Sequence, residues 1–168
     1  NEVDDYRQDH YQLHWNERYN DNWSTNIGVN YTYGRGFYEQ FREDDDFSTY
    51  GLDPLVVDGQ TLDETDLVRR RWLDNDYYVF NASANYKNKD IDLIFGTSIS
   101  HYDGDHFGEV IWARFASQSN IRDRYYDGNG RKNDASAFSK ATYKLNNRIQ
   151  LYGDLQLRNV NYKTSGIN

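Results

Sequence analysis

Trp23-Ser-Thr-Asn-Ile-Gly-Val-Asn-Tyr-Thr-Tyr-Gly-Arg-Gly-Phe-Tyr-Glu-Gln-Phe41 is the stretch that decides the fold. Up to Gly34 its residues alternate. Trp23, Ile27, Val29, Tyr31 and Tyr33 share one face with Thr25, and Ser24, Asn26, Gly28, Asn30, Thr32 and Gly34 share the other. Period two with one apolar face is a β-strand. The apolar face is ordered along its length, with rings at both ends and Ile27 and Val29 between them. Those ends are about ten residues apart, the length a tilted strand needs to cross a bilayer. Indole and phenol rings suit the two headgroup regions. Alone, the stretch reads equally as a transmembrane strand or as a long strand of a soluble β-sandwich.

The composition favours the first reading. The 168 residues are 37% hydrophobic but 17% aromatic, with a mean hydropathy of -1.04. A soluble domain of this size carries more aliphatic residues, and a disordered chain far fewer rings. A barrel with a wet interior and wet loops needs apolar residues only at every second strand position. No run approaches 18 apolar residues, so transmembrane helices are excluded. The net charge of -8 argues against nucleic acid as a partner, and the absence of cysteine removes disulfides and thiolate metal sites. Asn1 to Asp5 form no signal peptide, and the polar end from Ser165 to Asn168 completes no strand, so the chain reads as a fragment.

Taken in order, the chain is expected to form strands at about 9–17, 23–41, 77–87, 91–101, 134–145 and 149–160. Tight turns are expected at Tyr19-Asn20-Asp21-Asn22, Lys87-Asn88-Lys89-Asp90 and Asn146-Asn147. Between the other strands lie two long polar excursions, about 42–76 and 102–133, the first with a turn at Val57-Asp58-Gly59. Connections therefore alternate short and long, as periplasmic turns and outer loops do in an outer-membrane barrel. A sandwich has no reason to sort its loops by parity. The fold class expected is all-β, an antiparallel up-and-down meander of about six strands. A closed transmembrane barrel needs at least eight, so the chain is expected to be an arc of a larger one. Its open edges should pair with another copy in isolation.

Residues suited to chemistry are sparse. His10 and His14 would be about 13 Å apart on a strand, too far to share an ion, and His101 and His106 flank Asp103-Gly104-Asp105 without further EF-hand ligands. The acidic run Glu43 to Asp46 reads as a solvated loop face, with cation-bridged lipopolysaccharide the less favoured role. No Gly-x-Ser-x-Gly elbow and no cysteine nucleophile occur, and neither enzymatic activity, a metal nor a cofactor is expected.

The runs Asn22–Glu39, Tyr102–Arg114 and Ile149–Gln156 together resemble the barrel of TonB-dependent outer-membrane receptors, particularly those of Bacteroidetes-type bacteria. The resemblance implies a 22-stranded barrel around an N-terminal plug, importing a scarce nutrient (siderophore, haem, cobalamin or glycan) with energy passed by TonB. It implies the outer membrane as location, and as partners lipid, lipopolysaccharide, the rest of the barrel and the plug. Neither plug nor TonB-contacting segment is present. Position and side-chain type then assign ligand contact to Arg69, Arg70, Arg71, Trp72, Trp112, Arg114, Tyr125 and Tyr126, and the membrane interfaces to Trp15, Trp23, Tyr31, Tyr33, Tyr78 and Tyr86. Two other architectures compete. One is a small complete eight-stranded barrel with an adhesion or structural role, its missing strands inside the excursions and Glu109 to Ser117 the best candidate. The other is a secreted glycan-binding sandwich.

Overall fold

The computed structural model describes residues 2–167. Eight strands form in chain order: β1 (Glu2–Arg18), β2 (Trp23–Asp46), β3 (Leu55–Val57), β4 (Gln60–Leu62), β5 (Glu64–Lys87), β6 (Ile91–Ala113), β7 (Arg124–Lys144) and β8 (Gln150–Ile167). Six of them make one antiparallel meander in the order β1-β2-β5-β6-β7-β8, and β3 pairs with β4 in a separate small hairpin. No α-helix occurs among the described residues. The sheet does not close: β1 and β8 each pair on one side only.

The three short turns lie at one end of the sheet and share one device. Asn20 Oδ1 accepts from the amides of Asn22 and Trp23, both at 2.9 Å. Asn88 Oδ1 accepts from Asp90 at 2.9 Å and Ile91 at 2.7 Å. Asn146 Oδ1 accepts from Arg148 at 2.8 Å and Ile149 at 3.0 Å. A side-chain carbonyl thus satisfies the two backbone donors that a reversing chain leaves without a ladder partner. In the β3–β4 hairpin the expected turn falls at Asp58 and Gly59, both at positive φ (51° and 81°), the pair that a type I′ turn requires.

At the other end the strands run much further than hydrophobic alternation indicates. The excursion expected over 42–76 is only 47–63, and that over 102–133 only 114–123; β2 reaches Asp46, β5 begins at Glu64, β6 reaches Ala113 and β7 begins at Arg124. Likewise β1 starts at Glu2 rather than near residue 9, and β8 runs to Ile167 rather than 160. The pattern disappears there because neither face is uniformly apolar, while pairing continues through the backbone ladder. Two consequences follow for the competing architectures. Glu109 to Ser117 is the tail of β6 plus loop, not an extra strand, and the main sheet has six strands without barrel closure. No second sheet of comparable size faces it, so the layered core of a sandwich is absent from the described residues.

The buried apolar core is small: Phe47, Tyr50, Leu67 and Phe107. Phe47 and Tyr50 belong to a single 3-10 turn, Phe47–Tyr50, which touches β2 and β7. Asp46 caps it by accepting from Ser48 N at 2.7 Å. Part of the acidic run is therefore structural. Asp44 sits at φ 46° in the bulge between Arg42 and Asp45, and Asp46 is the cap.

Replacing Asn20, Asn88 or Asn146 with Ala is expected to weaken its turn by about 1 kcal/mol, roughly a fivefold rise in local opening. Hydrogen exchange at the Trp23, Ile91 and Ile149 amides measures this, and the Asp variants should stay close to wild type.

Candidate functional site

Cross-strand register sorts the side chains into rows perpendicular to the strands, alternately on two faces. On one face, the row Tyr11, Tyr31, Tyr78 and His101 holds stacked phenols, with Tyr31 4.8 Å from Tyr78 and 5.8 Å from Tyr11. Four rows towards the short turns, Trp23 meets Tyr86 at 5.0 Å. The rows between hold Leu13, Val29, Phe80 and Ile99, then Trp15, Ile27, Ala82 and Leu157, then Ala84, Phe95 and Leu155. Across all six strands these rows carry one formal charge, Glu17 on β1. Little of this band is covered by protein: Leu13 is 70% and Leu157 71% exposed.

The band drifts across the sheet. On β1 its apolar members run from Tyr11 to Trp15, and on β8 and the turn before it from Leu157 back to Ile149, with centres three rows apart. Three rows are about 20 Å along a strand, against about 24 Å across five inter-strand spacings, so the band lies at roughly 40° to the perpendicular of the strands. On β1 Trp15 stands opposite Ile27 and is the last apolar member of the band before Glu17, one row from the centre at Leu13. Tyr33 stands one row above Tyr31; Trp23, Tyr31, Tyr78 and Tyr86 do border the band.

Above the Tyr31 row the faces change character. On the same face, three successive rows contain Asp5, Arg7, Asp9, Arg35, Asp74, Asp76, Asp103, Asp105, Asp127, Arg131 and Lys163, eleven charges in eighteen positions. Asp74 faces Asp105 and Asp76 faces Asp103 directly across β5 and β6, a like-charge arrangement that costs stability unless compensated. The compensation is local. Arg35 reaches Asp74 at 3.4 Å, Arg131 reaches Asp103 at 2.9 Å, and Asn129 Nδ2 donates to Asp103 and Asp105 at 2.6 and 2.7 Å. The expected loop at Asp103-Gly104-Asp105 is thus strand, and His101 and His106 fall on opposite faces. Phe37, Trp72 and Phe107 form a ring row capped by guanidinium groups: Arg70 4.1 Å from the Phe37 centroid, Arg35 5.4 Å from Trp72 and Arg124 3.6 Å from Phe107.

The other face at the same height is nearly neutral. Its three rows are Tyr6, Gly36, Leu73, His106, Gly128 and Gly166; Gln8, Gly34, Asn75, Gly104, Gly130 and Thr164; and His10, Thr32, Tyr77, Tyr102, Lys132 and Tyr162. Lys132 is the single formal charge and stands 3.6 Å from Asp134. Six of the chain's twelve glycines lie in the first two of these rows. The Tyr6 ring lies flat over Gly36 and Gly34, and its hydroxyl donates to Asn75 Oδ1 at 2.9 Å. A Cβ at Gly34 would stand 2.9 Å from Tyr6 Cζ and 3.0 Å from Asn75 Oδ1. Tyr102 similarly covers Gly104, and the Tyr162 hydroxyl reaches Gly130. Glycine in a strand interior marks such close approach. His10, expected to bind no metal with His14, contacts Thr32 Oγ1 at 3.0 Å, and among the described residues no group of three or more His, Cys, Asp or Glu is arranged to hold an ion.

Over the outer end of this face sits a latch. Arg69, 8% exposed, donates from Nη1 to the Tyr50 hydroxyl at 3.1 Å and from Nη2 to Gln40 Oε1 at 2.8 Å. Tyr50 donates to Asp45 Oδ2 at 2.5 Å, and Arg42 Nε to the same oxygen at 3.1 Å. Burial opposes the charge of Asp45, but the bonds from Tyr50 and Arg42 win and hold its carboxyl below the ordinary range. Burial, then the Asp45 bond, pushes the Tyr50 hydroxyl far up, so it stays protonated and donating. Arg69 Nε and the Tyr125 hydroxyl remain buried without a hydrogen-bond partner.

The eight residues assigned to ligand contact do not converge. Arg69, Arg71, Tyr125 and Tyr126 lie towards the neutral face, with Tyr125 edge-on between Tyr50 (4.7 Å) and Tyr126 (5.0 Å). Arg70 and Trp72 lie on the charged face, engaged with Glu39 (2.8 Å) and Glu109 (3.1 Å). Arg114 pairs with Asp66 at 3.5 Å, and Trp112 walls a shallow groove with Leu52, Val110 and Ile121 between the two loops. Strand parity separates Arg69 and Arg71 from Arg70 once the run is recognised as strand. The residues missed altogether, Tyr6, Tyr102 and Tyr162, had one signal: glycines at spacing two in Gly34-x-Gly36 and Gly128-x-Gly130. No protein-family model matches the chain, and no curated protein matches it in sequence.

Gly34→Ala is expected to displace Tyr6 and destabilise the protein by about 1–3 kcal/mol in denaturant unfolding. Gly153→Ala, whose Cβ would meet nothing within 4 Å, should leave stability unchanged or raise it. Because Asp45 is more acidic folded than unfolded, its contribution is present above the ordinary aspartate range and disappears as pH falls through its lowered folded value. Exchange at the Phe47 and Leu52 amides, corrected for intrinsic rate, should therefore rise on acidification, and Asp45→Asn should abolish that rise.

Proposed function

We propose that the chain is a section of the wall of an outer-membrane β-barrel receptor of the TonB-dependent type, with the three Asn turns on the periplasmic side and loops 47–63 and 114–123 outside. The observation that carries this reading is the sloping apolar band. A face of leucine, isoleucine, phenylalanine and tryptophan with no protein over it needs another apolar phase. Its tyrosine and tryptophan borders suit bilayer interfaces, and a slope of roughly 40° is the strand tilt that transmembrane barrels adopt. Loop lengths sorted by side agree, as does a second face that is mainly polar in the same rows, with Val79, Ile94, Phe138 and Val160 the apolar exceptions.

The remaining parts then have roles. In a bilayer, unpaired strand edges are costly because no water reaches their amides, so β1 and β8 take neighbouring strands from the rest of the barrel, or from another copy when the chain is alone. The polar face lines the interior and the latched loop 47–63 covers its outer mouth. The function of the whole assembly is import of a nutrient held at that mouth, and this section contributes wall, two loops and part of the interior surface.

The four tryptophans test the reading, since they stand at three heights: Trp15 one row from the band's centre on β1, Trp23 at its lower border, Trp72 and Trp112 above it. Single-tryptophan variants reconstituted in phospholipid brominated along the acyl chain should be quenched most at Trp15, less at Trp23 and least at Trp72 and Trp112. Equal quenching of Trp15 and Trp72 would overturn the membrane orientation.

A further inference from the structure

We propose that the glycine-floored tract on the polar face, framed by Tyr6, Tyr102 and Tyr162, is a binding site for a neutral oligosaccharide. This deepens the barrel reading, in which the same face lines the interior. Three observations carry it. First, charge is withdrawn from this surface and from no other at its height: one formal charge in eighteen positions, against eleven on the opposite face of the same strand segments. Anionic ligands such as ferric chelates or haem are held by concentrated Arg and Lys, and this tract concentrates none. Second, the Tyr6 ring is laid against the backbone, and the Tyr162 hydroxyl reaches Gly130. Glycine on the facing strand lets a phenol press one side against the backbone, as Tyr6 does over Gly34 and Gly36, and Tyr6 and Tyr162 remain 40% and 64% exposed. A flat, supported, solvent-facing ring is a stacking platform for the C–H face of a pyranose. Ordering cost is small because Tyr6 is already held through Asn75.

Third, the neighbours supply neutral donors and acceptors at the ring edges. The Gln8 amide donates to the Tyr6 hydroxyl at 3.2 Å, which leaves its carbonyl oxygen free at an exposed position. Thr164 and the hydroxyls of Tyr102 and Tyr162 complete a set that can exchange hydrogen bonds with sugar hydroxyls and has no charge to be desolvated. The tract crosses six strands, a span of about 24 Å at the inter-strand spacing, so the ligand is an oligomer rather than a monosaccharide.

The test is calorimetric titration of the chain in a zwitterionic, sugar-free detergent with maltohexaose, cellohexaose, xylohexaose and laminarihexaose, with haemin and ferric citrate as charged counter-probes. At least one hexasaccharide should bind saturably. Tyr6→Ala and Tyr162→Ala should each weaken it about tenfold, while the Phe variants stay within about threefold, because stacking rather than the hydroxyl dominates. Saturable binding of no hexasaccharide, indifference to both Ala variants, or tighter binding of either counter-probe would overturn the proposal. Tryptophan quenching of the same protein variants, carried on a single-tryptophan background and reconstituted in brominated phospholipid, separates the two readings. Tyr-dependent sugar binding without deep quenching of Trp15 keeps this site and removes the membrane wall, and the reverse pattern does the opposite. It also verifies that the variants are folded.

Discussion

A sheet one layer thick satisfies its backbone but not its side chains. Along β1-β2-β5-β6-β7-β8 the ladder pairs the amides of the four inner strands on both sides, yet among the described residues the apolar side chains it buries are those under the 47–63 loop and the guanidinium caps. Everything else about the structure depends on that imbalance. The uncovered face must either be polar or meet another phase, and it is apolar over five rows and charged above them. On the proposed reading, the change from one to the other marks where hydrocarbon gives way to water, and the slope of the boundary is the tilt of the strands.

Beyond the apolar band the strands persist for up to fifteen residues on β2, where neither face is uniformly apolar. They are held instead by cross-strand contacts, and the two faces use different ones. The charged face pairs Arg35 with Asp74, Arg70 with Glu39 and Arg131 with Asp103 across strands, with Arg35, Arg70 and Arg124 lying over Trp72, Phe37 and Phe107. Exposed ion pairs are individually worth little, so the ring–guanidinium contacts carry more of this work. The neutral face uses glycine as a socket and tyrosine as its cover, which needs no charge and leaves a neutral surface.

The latch joins these two regimes. Arg69 points to the neutral face but is withdrawn from it by Tyr50 and Gln40, so this cation is buried under its own loop. The acidic run supplies the anion, Asp45, and the cap, Asp46. A segment that reads as solvated loop is therefore the anchor that fixes how loop 47–63 lies on the sheet.

The residues alone determined the class, the meander, the three short turns and the border aromatics on β2 and β5, because hydrophobic alternation and Asn-rich reversals are local properties that need no partner. They did not determine where strands end. From Arg35 to Asp46 and from Glu64 to Asp76 the alternation is lost, and only pairing with a neighbour makes these segments strand. Trp15 illustrates the same limit: its own strand places a ring at one end of an apolar run, and only the register against Ile27 fixes which row of the band that end occupies. Site residues were least legible. Single-letter chemistry singled out the triple arginine and the tryptophans, most of which the fold engages in internal pairs. The neutral tract is invisible in any one strand, since it consists of what six strands omit at the same height. Charge sorting between two faces is a property of register, and register is decided by long-range pairing.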